Sequence, residues 1–147
     1  MLRTVLGMMA GLATLVVVIL LVEAGGMLLY PPPPGIDPSS PDAMAQLVAQ
    51  LPVGALAMVL LAWVLGAFAG GWVAARVARR GFPLLAALAV AGFVLAGVVA
   101  MVVSVPHPRW MTIGGLALPI PAAWLGAHLA RRRRRGELPP PAHQPNR

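Results

Sequence analysis

Four stretches of this chain run for 19 to 23 residues without a formal charge, and that property leaves few folds open. They cover residues 4–22, 53–75, 83–105 and 110–130. At 1.5 Å per helical residue, about 20 residues cross a hydrocarbon layer about 30 Å thick, so each stretch is long enough to span. None carries the polar stripe of a helix resting on a water-soluble core. None alternates as a lipid-facing barrel strand does. Backbone groups in lipid have no water to bond with, so helices are the remaining solution. The expected fold is all-α: a polytopic bundle of four transmembrane helices in one domain, residues 1–135, followed by a disordered tail, residues 136–147.

Composition removes the competing classes. Charged residues make up 10% of the chain and apolar residues 59%, with a mean hydropathy of +0.84. A soluble domain carries about 25% charged residues, and a disordered chain needs low hydrophobicity. Cysteine is absent, which removes disulfides, thiolate metal sites and thiol redox chemistry. The eleven basic residues are all arginine, a bias that together with abundant Ala, Gly and Pro suggests a GC-rich bacterial genome.

The arginines also orient the spans. With the N-terminus inside, Arg3, Arg76, Arg79, Arg80, Arg131 to Arg135 and Arg147 are cytoplasmic, ten against Arg109 alone outside. The positive-inside rule then places both termini in the cytoplasm of a bacterial inner-membrane protein. Their position at the ends of apolar runs, not along one face, argues against a nucleic-acid partner. The run Arg131, Arg132, Arg133, Arg134 and Arg135 is an expected contact for anionic lipid head groups at the cytoplasmic face.

The one long outer segment, residues 24–52, has its own order. Gly25-Gly26 should loosen the exit from the first span, and Pro31 to Pro34 should form a stiff spacer. Ser39 to Asp42 resembles a capping box, and Met44, Leu47, Val48 and Leu51 follow at helical spacing opposite Gln46 and Gln50. A short interfacial helix is expected there, ended by Pro52.

Small residues mark packing faces. Gly7-xxx-Gly11 and Gly66-xxx-Gly70 let backbones approach closely, either inside the bundle or between copies of the chain. In the fourth span Gly115, Pro119 and Pro121 are the expected site of a helix break, because neither proline can donate to the carbonyl four residues earlier. The break is either a kink or a discontinuous helix of the transporter kind.

Candidate functional residues are few. Glu23 ends the first apolar stretch, Asp37 lies in the outer loop, and His107, Arg109 and Trp110 form the turn between the third and fourth spans. They could build a structural clamp, with Arg109 neutralising Glu23, or an outer binding site. Too few ligands are present for a metal site, so neither metal nor cofactor is expected. Serine, histidine and carboxylate residues lie in no catalytic arrangement, so an enzyme is not expected.

The chain resembles a family of small, uncharacterised bacterial four-span integral membrane proteins. The residues that carry the resemblance are Glu23, Pro34-Gly35-Ile36-Asp37, Leu51-Pro52-Val53-Gly54-Ala55, the stretch Ala62 to Gly71, and Pro106-His107-Pro108-Arg109-Trp110. The resemblance implies the four-span topology and brings no activity with it. Two functions stay open: a structural or accessory membrane subunit whose outer face binds a partner, or a small oligomeric transporter or channel using the broken fourth helix.

Overall fold

The computed structural model describes residues 1–31 and 41–135, and the tail and most of the proline spacer lie outside them. Its elements are α1 (Leu2–Leu29), α2 (Pro41–Gln50), α3 (Val53–Val77), α4 (Pro83–Ser104), α5 (Arg109–Ala117) and α6 (Pro119–Arg135). No strand occurs among the described residues. Four helices are long and apolar enough to cross a membrane: α1, α3, α4 and the combined run Arg109–Arg132.

The first of these is longer than its uncharged stretch. α1 continues through Glu23 and the Gly25-Gly26 pair for seven residues past Val22. Gly26 does not release the helix, because its carbonyl accepts a bond from the Tyr30 N–H at 2.8 Å and its Cα faces Met58 of α3. Tyr30 then turns its ring onto Gly54, tying the end of α1 to the start of α3.

α3 is the hub. It packs against α1, α4, α5 and α6, while α1 and the α5–α6 span each also touch α4. The contacts run through glycine and alanine. A Cβ on Gly11 would stand 2.7 Å from the Gly70 carbonyl oxygen, and one on Gly7 would stand 2.7 Å from that of Ala74. The two small-residue faces therefore pack on each other within the bundle. On the α6 side of α3, Gly71 lies against the Ala123 backbone, and Gly126 lies against Phe68 and Trp72. In lipid the helices gain no hydrophobic drive to associate, so close backbone approach is what holds them together.

Larger side chains fill the main core: Leu15, Leu56, Trp63, Val90, Val98 and Met111 are all buried. Towards the arginine-bearing end the core narrows to Ala75, Ala87, Ala127 and Ala130, with Trp72 packed against them. The N-terminus is pinned here too, where the Phe82 N–H donates to Thr4 Oγ1 at 3.1 Å.

α2 is a short interfacial helix. Val48 and the following Leu51 pack against the core, Met44 and Leu47 are half-buried, and Asp42, Gln46 and Gln50 face outward. Ser39 and Ser40 of the expected capping box lie outside the described residues.

The fourth span bends without unwinding. α5 ends at Ala117 and α6 begins at Pro119, so the interruption is Leu118 alone. Leu118 keeps right-handed helical angles, its N–H reaches the Gly114 carbonyl at 3.0 Å, and its own carbonyl accepts from Ala122. Pro119 is buried and Pro121 is exposed.

Candidate functional site

The charged and aromatic candidates occupy the two ends of the bundle, and the helix-break candidates lie between them. At the end away from the arginine runs, Glu23 is half-buried on α1, one and a half turns before that helix stops. Arg109 is the first residue of α5 and is exposed, as is Trp110 beside it. Glu23 and Arg109 make neither an ion pair nor a hydrogen bond with each other. The packing shows why: α1 lies on α3 and α4, whereas α5 lies on α3, α4 and α6. The two charges stand on spans that flank the α3–α4 pair. Asp37 lies outside the described residues.

His107 serves its own turn. Its Nδ1 lies 2.7 Å from the Val105 carbonyl oxygen, which can only accept, so Nδ1 carries the proton and donates. That bond closes the Pro106-His107-Pro108 turn and leaves Nε2 open. Among the described residues no three His, Asp or Glu side chains come together as a metal would need.

At the break, Gly115 packs under Trp63 and Val98, so Trp63 is a core side chain filling the space a Cβ would take. Nearby is an open cavity of about 180 Å³ lined by apolar residues, among them Leu15, Ile19, Trp63, Phe93 and Gly97.

The other end is basic. Arg76, Arg79 and Arg80 are exposed at the end of α3, and Arg131 and Arg132 are exposed on α6. Arg133, Arg134 and Arg135 complete the last turn of α6. Two contacts here were not singled out from the residue order. Arg76 lies over the Trp72 ring, with its guanidinium carbon 4.9 Å from the ring centre. His128 stacks on Trp124 at 5.2 Å between centroids. The signal for both is an aromatic residue four positions before a basic one, the spacing at which helical side chains meet.

No family pattern, curated protein or solved structure matches the chain.

Proposed function

We propose that this is a non-enzymatic multi-pass protein of a bacterial inner membrane, acting as a structural or accessory subunit whose outer face binds a membrane-protein partner. Four helices are long and apolar enough to cross a membrane, which supports the multi-pass reading. The ten-to-one arginine asymmetry supports placing both termini in the cytoplasm.

One observation carries the outer-face reading. α1 has 28 residues, or about 42 Å, against a hydrocarbon layer of about 30 Å. Holding all of it inside that layer would need a tilt of about 44°, steeper than the usual range for membrane helices. The helix therefore projects beyond Glu23, and there it exposes Met27, Leu28 and Leu29 at 63%, 86% and 69%. Large apolar side chains held on a rigid helix at the water boundary are a surface suited to a protein partner.

The competing reading, an oligomeric transporter or channel, rests on the fourth span. The near-helical Leu118 and the apolar cavity lend it little support. Photo-crosslinking in native membranes tests the proposal: a photoreactive residue at Leu28 should give a discrete protein adduct, and one at Leu65, in mid-span, should give lipid adducts. Lipid adducts at both positions would overturn it.

A further inference from the structure

The basic end carries two ring contacts built on one plan. On α3, Arg76 lies over the ring of Trp72, four residues before it. On α6, His128 stacks on Trp124, again four residues before it, with the planes 14° apart. The packing of α3 on α6 brings the pairs to a common depth: Gly126, midway between Trp124 and His128, stands against the backbone of Trp72. In each pair the indole lies deeper and the nitrogen-rich group one turn nearer the helix end.

A phospholipid leaflet presents the same order, with the zone favoured by tryptophan at the edge of the hydrocarbon and phosphates beyond it. Beyond the pairs the exposed Arg79, Arg80, Arg131 and Arg132 extend the positive charge. The acidic residues described, Glu23 and Asp42, belong to the opposite end, and Glu137 lies outside the described residues.

We propose that the Trp72–Arg76 and Trp124–His128 pairs, backed by Arg131 and Arg132, form a binding collar for the phosphate groups of anionic phospholipids. A guanidinium held over an indole engages the ring through its cationic carbon and keeps N–H donors available for two phosphate oxygens. The ring contact also restricts the arginine before any lipid arrives, so less side-chain freedom is lost on binding. The imidazole adds an N–H donor at the same depth. This inference concerns the end opposite the proposed partner face and does not depend on it.

The test uses the full chain in detergent, with retained lipid counted by native mass spectrometry after exposure to phosphatidylglycerol or phosphatidylcholine. Wild type should retain phosphatidylglycerol in preference. Arg76→Gln should lower that retention about fivefold, as expected for one arginine near an anionic surface. Arg109→Gln removes the same charge at the far end and should leave retention unchanged. Equal retention of the two lipids, or equal losses for the two variants, would overturn the proposal. Displacement of the lipid by an equal concentration of soluble glycerol phosphate would overturn it as well, since it would reveal a pocket for the free anion. A second measurement needs no substitution: brominated phosphatidylglycerol in vesicles should quench tryptophan fluorescence more than brominated phosphatidylcholine does, and equal quenching counts against the collar.

Discussion

Two groups of glycines in this bundle should respond oppositely to a side chain. Gly7, Gly11, Gly70, Gly71 and Gly126 lie where another helix's backbone or Cβ occupies the space a side chain would take, while Gly92 and Gly97 of α4 have open space. Alanine is the better helix former by about 1 kcal/mol at any of them, so the contacts decide the sign. A Cβ on Gly71 would stand 2.5 Å from the Ala123 carbonyl oxygen, and backbone cannot step aside cheaply. Gly71→Ala is expected to destabilise by about 1–3 kcal/mol, read as a lower melting temperature in detergent. Gly92→Ala should leave the melt unchanged or raise it. Thr4 offers a second test, since its hydroxyl accepts the Phe82 N–H across 78 positions of chain. Thr4→Val should cost about 1 kcal/mol in the same assay and Thr4→Ser much less, because serine keeps the acceptor.

The helices themselves were largely readable from residue order, with two informative differences. Uncharged length marked all four spans, and the spacing of Met44, Leu47, Val48 and Leu51 marked α2. The end of α1 was not legible, because Gly25-Gly26 reads locally as a breaker. Met58 and Gly54 of α3, about 30 positions away in the chain, supply the contacts that carry the helix on. In the fourth span Pro119 and Pro121 marked a break, yet the residue order leaves open whether the helix bends or separates. Leu118 settles the geometry as a bend, with hydrogen bonds on both sides. The two prolines then differ by burial. Pro119→Ala should lower the melting temperature, because its ring is fully enclosed and the smaller side chain leaves a gap. Pro121→Ala should leave it unchanged or raise it, since the ring is exposed and the new N–H can reach the Ala117 carbonyl. Melts that fall equally would mean the bend itself, not the packing of Pro119, stabilises the span.

The molecule has a basic end and an end bearing Glu23, α2 and the His107 turn, and that polarity makes its orientation testable. Single cysteines at Asp42 and His107 should react with a membrane-impermeant thiol reagent in intact cells. One at Arg80 should react only after permeabilisation. Labelling of Arg80→Cys from outside would reverse the orientation and move the proposed partner face to the cytoplasm.

The number of spans, their approximate limits and the basic end were determined by residue order alone. Crossing lipid depends on length and the summed cost of desolvation, both of which are local and additive along the chain. Which helices touch was decided only by the tertiary structure. Helices that are apolar all round carry no polar face to say which side is buried, so periodicity is silent on partners. That is why Glu23 and Arg109 read as neighbours in a list of outer residues, although their helices flank the α3–α4 pair. It is also why the shared depth of Trp72–Arg76 and Trp124–His128 emerges only once Gly71 and Gly126 have set α3 against α6.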